Sequence, residues 1–283
     1  MDIKRNFLPG EQWIYLKIYT GIKTADIILE ETIAPLMKLF IEELIINQWF
    51  FIRYQDKAPH LRLRLYIIHT KNYFTVLNRL KTALEIYIHS GEISGIVQDT
   101  YSREIERYGK NTMNDAEALF YYNSEFTLQC LQYHDEEKIM AILFYIDQLL
   151  SQIGLSVNQR LQWIKDYNEY FKEEFNTNKH LNRQLDKKYR AFYPKFLDFS
   201  QSSQYCKIRN TIMKNLYLSN DALQNICNSY NEHDNPRSLQ FFFQSIFHMT
   251  INRFFVSEQR LFEMIVYDYL HRYYKTLFFH FII

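Results

Sequence analysis

Hydrophobic and polar residues alternate along the first part of the chain in patterns typical of strands and helices. At 12–19, QWIYLKIY places Ile14, Leu16 and Ile18 on one side and polar or aromatic residues on the other, which predicts a half-buried strand. The next segment repeats apolar residues at helical spacing, and we expect Pro35 to kink or divide that helix. In all, six elements are predicted, over 12–19, 25–45, 49–54, 60–66, 72–89 and 93–101.

The order of these six elements indicates a fold. Strand, helix, strand, strand, helix, strand is the order of the split βαβ arrangement in ferredoxin-like domains. In such a domain the helices cover one face of an antiparallel sheet, and we expect the other face to be open. We therefore predict an α+β protein in which residues 1–110 form a ferredoxin-like subdomain.

From residue 111 onward the pattern is helical. Long segments with helical spacing alternate with short polar breaks such as NEHDNP. We predict a mainly helical subdomain over 111–283, packed with the first subdomain as one domain. The apolar tail LFFHFII is expected to pack against the body of the protein or against a partner subunit, as in a homodimer. The predicted helices are 114–133, 136–154, 157–177, 182–197, 236–256 and 258–276.

Composition and the length of apolar runs exclude several classes of protein. The 283 residues carry 33 Lys and Arg against 32 Asp and Glu, so the net charge of +1 gives no overall attraction to nucleic acid. The three cysteines are scattered, with no CxxC pair for a metal or a disulfide framework. No apolar run has the length of a signal peptide or of a membrane span. We expect a cytoplasmic protein without a metal site.

The stretch PHLRLRLY is the first candidate for chemistry. On a strand its leucines point to one face, and His60, Arg62 and Arg64 point to the other. Pairing with the first strand would add Tyr15 and Lys17 to that second face. Arginine binds carboxylate or phosphate oxygens in a bidentate manner, so this face is a candidate anion site. Charges neutralised by Asp or Glu on neighbouring strands would fit the pattern equally well.

The apolar helix segment FFFQSIFHMTINRFF, at 241–255, is the second candidate. Gln244, His248 and Asn252 follow one another at i+4 steps and form one polar stripe, with Arg253 next to its end. Such a stripe is a candidate wall of a pocket, and the helical half would then close over the candidate anion site. The alternative is a core histidine that satisfies a buried carbonyl group.

Several common motifs are absent from the sequence. There is no GxGxxG, no complete phosphate-binding loop, no HExxH and no GxSxG. A dinucleotide site, a zinc protease site and a serine hydrolase are therefore unsupported. The charged segment TYSREIERYG, at 100–109, is by itself typical of a salt-bridged turn.

Four segments of the chain resemble a known family. They are WIYLKIYTGIKTADIILEETIAPL, WFFIRYQDKAPHLRLRLY, TYSREIERYG and SIFHMTINRFF, in that order. They resemble the C-terminal glutamate-elimination domain of class I lanthipeptide dehydratases and its stand-alone relatives in thiopeptide biosynthesis. The resemblance implies that Ser or Thr of a precursor peptide, esterified by glutamate from glutamyl-tRNA, loses that glutamate here to give dehydroalanine or dehydrobutyrine. The anion would then be a glutamate carboxylate.

The resemblance also implies roles for individual residues. Arg62, Arg64 and Arg103 would bind the glutamyl group and favour its loss, and His248 would transfer a proton. No cofactor is implied. The residues expected to contact the substrate are His60, Lys17, Tyr101, Asn252 and Arg253.

Two features depart from the family pattern. The large glutamylation domain is absent, which implies that a separate tRNA-dependent protein glutamylates the precursor peptide and that this chain has no direct contact with nucleic acid. Lys110 stands where a second Gly is usual in the turn, which affects little.

Three other functions remain open. A pyridine synthase of thiopeptide assembly would share the fold and join two dehydroalanines in a [4+2] cycloaddition, although these relatives tend to lose the arginine motifs. A non-catalytic partner that only binds the precursor peptide would not need a histidine in an apolar helix. An RNA binder that uses the open sheet face would need further basic residues around exposed aromatic side chains.

Overall fold

The structure is a computed structural model and describes residues 3–232 and 238–280. It confirms the predicted α+β class, with antiparallel strands in the first part and helices in the second. The strands of the described chain are β1 (Asn6–Phe7), β2 (Trp13–Thr20), β3 (Ile46–Gln55), β4 (Pro59–Ile67), β5 (Ile93–Gln98) and β6 (Tyr101–Ser102). Its helices up to the middle of the chain are α1 (Thr24–Ile28), α2 (Ala34–Glu42), α3 (Tyr73–His89), α4 (Ile105–Tyr108), α5 (Met113–Leu128) and α6 (Asp135–Gln152). The later helices are α7 (Val157–Glu174), α8 (Lys179–Gln201), α9 (Cys206–Leu218), α10 (Asn220–Glu232), α11 (Leu239–Phe254) and α12 (Gln259–His280).

The chain forms two compact units. The first, which we call the sheet unit, contains Met1–Leu131 and Asn252–Ser257. The second, which we call the helical unit, contains Gln132–Ile251 and Glu258–Ile283. The division into subdomains at residue 110 stays a prediction.

The four long strands form the predicted ferredoxin-like sheet. Their order is β3-β4-β2-β5 and every neighbouring pair is antiparallel, so the first and third of the four long strands lie in the centre. On one face, apolar residues of all four strands pack against α1, α2 and α3 in a single core. The alternating apolar residues that predicted these strands are therefore the residues that fill this core.

The helix after the first long strand is divided, as expected from Pro35. A π-helical turn at Leu29–Ile33 separates α1 from α2, and Pro35 lies in the first turn of α2. Because proline has no N–H to donate, the regular hydrogen-bond ladder cannot continue through it.

The second face of the sheet is covered over much of its length, so the prediction of an open face was wrong there. Trp13 and Phe50 project from this face and are buried. The ring of Tyr101 lies 5.1 Å from that of Trp13, and the ring of Phe120 lies 5.2 Å from that of Phe50. Aromatic rings from segments later in the chain pack on these large side chains and remove them from water. The face stays partly exposed around Arg62.

Other differences from the sequence-based prediction concern segment ends and two helices. The strand predicted over 93–101 ends at Gln98, because the Asp99 carboxylate accepts a hydrogen bond from the N–H of Thr100 and turns the chain towards β6. The helices α9 and α10 were not predicted. In α9 the buried apolar residues are Ile208, Ile212 and Leu216, one per turn, which is a weak periodic signal.

The helical unit is built around α12, which packs along α7, α6 and α8. None of the helices in the described ranges combines the length and apolar character needed to cross a membrane. Most of the predicted break NEHDNP, at 231–236, and the last three residues of the tail LFFHFII lie outside the described residues.

Candidate anion-binding site

The sheet places the predicted anion-binding residues in adjacent rows across three strands. Because the side chains in each row share one face, Lys17, His60, Arg62 and Arg64 form one surface, which we call the arginine face. The rows across β2, β4 and β3 are Tyr15–Arg64–Phe50, Lys17–Arg62–Ile52 and Tyr19–His60–Tyr54.

Arg64 lies in a cage of aromatic rings. Its guanidinium carbon is 4.3 Å from the ring centre of Tyr15, 4.9 Å from that of Tyr101 and 5.3 Å from that of Phe50. The side chain is buried, its Nε has no hydrogen-bond partner, and it has no ion pair with any residue that the structure describes. The buried carboxylate of Glu117 is near enough to interact with this charge. A buried cation without a direct ion pair is still destabilising, and a bound anion would remove part of that cost.

Arg62 is held by a ring and a histidine. Its guanidinium lies 3.3 Å from the ring centre of Tyr54, and its Nε donates a hydrogen bond to Nε2 of His60 at 3.3 Å. His60 in turn donates from Nδ1 to the carbonyl oxygen of Ala58 at 3.1 Å. Arg62 can only donate and the carbonyl can only accept, so the two ring nitrogens of His60 have opposite roles in these hydrogen bonds. The remaining guanidinium donors of Arg62 have no carboxylate partner within the described chain.

Lys17 is neutralised, unlike the two arginines. Its Nζ lies 2.6 Å from a carboxylate oxygen of Asp99. This contact raises the pKa of Lys17 and lowers the pKa of Asp99, so both groups are charged near neutral pH. Lys17 is therefore directly paired with a carboxylate on this face, whereas Arg62 and Arg64 interact with Asp99 and Glu117 only at longer range.

Arg103 is tied into a buried network with Glu117. It donates two hydrogen bonds to the Glu117 carboxylate, at 2.8 and 2.6 Å, one to Asn114 at 3.0 Å and one to the Lys4 carbonyl oxygen at 3.2 Å. The hydroxyl of Tyr101 donates to the same carboxylate at 2.8 Å. Burial, followed by the charge of Glu117, raises the pKa of Tyr101 well above its usual value, so this hydroxyl is a donor and not a base. The network fixes the Tyr101 ring that faces Arg64.

Asn252 and Arg253 fasten the end of α11 to the edge strand β3. The Asn252 amide accepts a hydrogen bond from the N–H of Arg53 at 3.0 Å and donates one to the Arg53 carbonyl oxygen at 2.9 Å. Arg253 is fully buried and donates from Nε to the Phe51 carbonyl oxygen at 2.7 Å, while the Phe51 N–H donates to Ser124 at 3.3 Å. Both residues therefore have a structural task, and their contact with substrate stays a prediction.

His248, in the helical unit, is paired with a buried glutamate. Its Nδ1 lies 2.9 Å from Oε2 of Glu263, whose side chain is 2% exposed while that of His248 is 35% exposed. Arg260 donates to the same glutamate oxygen at 3.0 Å, and the Tyr267 hydroxyl lies 3.5 Å from the other oxygen. Since a carboxylate accepts, Nδ1 carries a proton, and Nε2 of a neutral ring is left with its lone pair. The partner of His248 is thus a carboxylate and not a backbone carbonyl.

Within the sheet unit, the structure brings several of the predicted site residues together. Arg62, Arg64, His60 and Lys17 share the arginine face, and Tyr101 completes the cage of Arg64. Two buried carboxylates, Glu117 beside Arg103 and Glu263 beside His248, were not found from the sequence. Glu117 follows Arg103 by 14 residues and Glu263 follows His248 by 15, so no short motif connects either pair.

The family of the chain follows from a comparison with protein-family models. Residues 13–274 match the model described as lantibiotic biosynthesis dehydratase C-term. The chain belongs to this family. The resemblance inferred from the four sequence segments is thereby confirmed.

Two curated relatives of this lantibiotic dehydratase C-terminal domain match parts of it. The subtilin biosynthesis protein SpaB of Bacillus subtilis is 28% identical over 186 residues, which cover 59% of this chain and 17% of that protein. The nisin biosynthesis protein NisB of Lactococcus lactis subsp. lactis is 29% identical over 123 residues, which cover 43% of this chain and 12% of that protein. The matched regions are therefore a small part of each relative.

Solved structures share the fold. The tRNA-dependent lantibiotic dehydratase MibB from Microbispora sp. 107891 has a TM-score of 0.69 at 18% identity, over 94% of this chain and 28% of that chain. TsrL has a TM-score of 0.67 at 13% identity, over 93% of this chain and 94% of that chain. The pyridine synthase TbtD from thiomuracin biosynthesis has a TM-score of 0.64 at 10% identity, over 94% of this chain and 100% of that chain. Since a dehydratase and a pyridine synthase both match, the fold does not distinguish their reactions.

Proposed function

We propose that this chain is a lyase that eliminates glutamate from glutamylated Ser or Thr of a ribosomal precursor peptide. The observation that carries the proposal is the arginine face. Lys17 and Arg103 are each paired with a carboxylate, whereas Arg62 and Arg64 have none among the described residues. Two adjacent unpaired guanidinium groups suit a substrate with one free carboxylate and a second one that forms as the ester bond breaks.

The reaction balances without a cofactor. A base removes the Cα proton of the modified residue, that electron pair forms the Cα–Cβ double bond, and the Cβ–O bond breaks. The glutamyl group leaves as free glutamate, and its new carboxylate takes the electrons of the broken bond. Because negative charge on the leaving oxygen grows towards the transition state, a guanidinium at that oxygen stabilises the transition state more than the bound substrate.

The other candidate residues are given roles that follow from their contacts. His248 is proposed to move the proton through Nε2, with Glu263 holding the ring in the tautomer that leaves this nitrogen free. Arg103 already makes four hydrogen bonds, so we propose that it positions Tyr101 against Arg64 rather than binding the glutamyl group itself. The precursor peptide is proposed to arrive already glutamylated by a separate tRNA-dependent protein.

Cycloaddition by a pyridine synthase is the second candidate, because TbtD matches in fold over its whole length. A cycloaddition between two dehydroalanines has no carboxylate leaving group, so it gives no reason for Arg62 and Arg64 to be unpaired. The arginine face therefore favours elimination.

Mass spectrometry of peptides incubated with this chain alone tests the proposal. A peptide with one glutamylated Ser should lose one glutamic acid and gain one dehydroalanine. A peptide with two dehydroalanines should remain unchanged, whereas ring formation from it would support the pyridine synthase. Binding of both peptides without any change in mass would instead indicate a non-catalytic partner.

A further inference from the structure

We propose that the outer edge of β5 binds an extended segment of the precursor peptide and adds it to the sheet as a further antiparallel or parallel strand. The inference rests on the proposed function, since the partner is its peptide substrate. It goes further in naming the surface that holds the peptide backbone beside the arginine face.

The two outer edges of the sheet differ in a way that points to β5. On β3 the outward backbone groups of Phe51 and Arg53 are taken by the side chains of Ser124, Asn252 and Arg253. Side chains that fill an edge in this manner prevent pairing with another strand. Among the residues that the structure describes, the edge of β5 is therefore left available for a further strand.

The register of β5 shows which of its backbone groups point outward. The N–H of Asp99 donates to the carbonyl oxygen of Tyr15 at 3.1 Å, so Tyr15 and Asp99 are a hydrogen-bonded pair of the ladder. The next hydrogen-bonded pair, two residues along each strand, is Lys17–Val97. Because hydrogen-bonded and non-hydrogen-bonded pairs alternate in an antiparallel ladder, Ile96 and Gln98 direct their N–H and C=O groups away from the sheet. Within residues 3–232 and 238–280, these outward groups have no hydrogen-bond partner.

The sequence of β5 lacks the usual protection of an edge. ISGIVQ contains no charge and no proline, the residues that commonly block pairing at exposed edges. A Cβ added at Gly95 would meet no atom within 4 Å, so there is free space above the strand at this position. Val97 is 46% exposed on the arginine face, where it can contact a side chain of an added strand.

The position of this edge suits a peptide that carries a glutamyl group. Strands lie about 5 Å apart, so an added strand would lie about 10 Å from β2 and about 14 Å from β4. Its residue opposite Val97 would point to the same face as Lys17 and Arg62, which follow in the same row. The glutamyl group of such a residue has one free carboxylate, which would extend along that row towards the guanidinium of Arg62. Charge complementarity thus favours the glutamylated peptide over a second copy of this uncharged edge.

Amide hydrogen exchange of the full chain, followed residue by residue with NMR, tests the proposal. The probe is a ten-residue peptide with a central diaminopropionate acylated by glutamate, in which an amide replaces the ester so that no elimination occurs. At a probe concentration ten times its Kd, exchange of the Ile96 and Gln98 amides should slow by about tenfold. The Val97 amide, already paired with β2, is the internal control and should change much less.

A second measurement uses N-methylated probes and leaves the protein unaltered. Methyl groups placed on successive backbone nitrogens of the probe should weaken binding at every second position, by about fivefold for each lost hydrogen bond, and have little effect at the positions between. Binding that changes the Arg62 signals without protecting Ile96 and Gln98 would overturn the proposal. So would protection that depends on protein concentration and appears without peptide, because the edge would then pair with a second copy.

The two proposals fail in different ways. Protection of Ile96 and Gln98 in a protein that never releases glutamate would leave the edge as a peptide site and reject elimination. Release of glutamate from the ester peptide with no protection of these amides would reject the edge and leave elimination intact.

Discussion

Lysine substitutions at Arg62 and Arg64 test whether elimination depends on the geometry of the guanidinium group or only on its positive charge. Lysine in place of Arg62 or Arg64 keeps the positive charge but loses the planar fork that binds a carboxylate with two hydrogen bonds. We expect each of the variants Arg62→Lys and Arg64→Lys to lose the equivalent of one charge-assisted hydrogen bond, about 10- to 100-fold in elimination rate. Glutamylated peptide should accumulate, as measured by mass spectrometry over time.

The matched control is Arg79→Lys, because Arg79 is paired with Glu43 away from the arginine face. It should keep the wild-type rate, and all three variants should keep a wild-type circular dichroism spectrum. Wild-type rates in both arginine-face variants would contradict a shared anion site.

The pairing of His248 with Glu263 predicts that the two residues act as one unit. His248→Ala should lower the elimination rate by roughly 10²- to 10⁴-fold, the range typical of a lost general acid or base, with little change in melting temperature. Glu263→Gln should lower the elimination rate less. It should have no further effect in the His248→Ala background, because the effects of substitutions at residues that act together are not additive. Tyr267→Phe, which removes a hydroxyl beside the other oxygen of Glu263, is the control. If the two substitutions multiply their effects, Glu263 does not act through His248.

For single residues, the sequence predicts which side chains can take part in the reaction better than it predicts which side chains they contact. Arg62 and Arg64 could be placed on one face because a strand repeats every two residues. The carboxylates Glu117 and Glu263 could not be found, since their contacts depend on how distant segments pack. The same limit explains why the structural task of Asn252 and Arg253 was missed: a helix pattern does not show that its end contacts a strand two hundred residues earlier.

Among the elements, the junction of α11 with β3 yields a prediction about stability. Asn252→Ala removes two hydrogen bonds and leaves the N–H and C=O of Arg53 without their partner. Unsatisfied backbone groups are costly, so we expect the free energy of unfolding to fall by about 1–3 kcal/mol. Urea unfolding measures this change. Gln244→Ala, two turns earlier on the same helix, is the control and should stay within about 0.5 kcal/mol of wild type. Equal stability of both variants would mean that Asn252 does not close the edge of β3.

Element order was predictable because periodicity and turn chemistry are local. The alternation in β2 and β4 and the helical spacing in α3 were sufficient to predict the ferredoxin-like order, which the sheet confirms. The covering of the second sheet face was not predictable in this way. It depends on Tyr101 and Phe120, whose rings pack on Trp13 and Phe50 only after the chain has folded back.

For the whole molecule, His271 in the helical unit predicts how stability depends on pH. Burial, followed by the charges of Lys275 and Lys172, lowers the pKa of this histidine to about 4, and Asn168 contacts its Nδ1 at 3.1 Å. The unfolded chain, with a histidine pKa near 6.5, therefore binds more protons than the folded chain between these values. Stability should fall as pH decreases from about 6.5 to about 4, and this contribution should level off below that.

His271→Gln, which keeps a hydrogen-bond acceptor for Asn168 and cannot be protonated in this range, tests the prediction. Because His271 is partly exposed, we expect the difference between wild type and variant to change by only about 1 kcal/mol between pH 6.5 and pH 4. Urea unfolding at a series of pH values gives this difference directly, and carboxylates that titrate in both proteins cancel. Identical pH profiles would show that His271 is protonated as readily in the folded chain as in the unfolded one.

We propose that this chain breaks the Cβ–O bond of a glutamylated residue by removing its Cα proton. The most direct measurement uses a peptide whose glutamylated Ser carries deuterium at Cα, incubated with the chain alone and followed by mass spectrometry together with assay of free glutamate. In each elimination event, one glutamate should be released, one dehydroalanine formed and one deuterium lost. Glutamate release that restores Ser and keeps the deuterium would be ester hydrolysis, and it would contradict elimination.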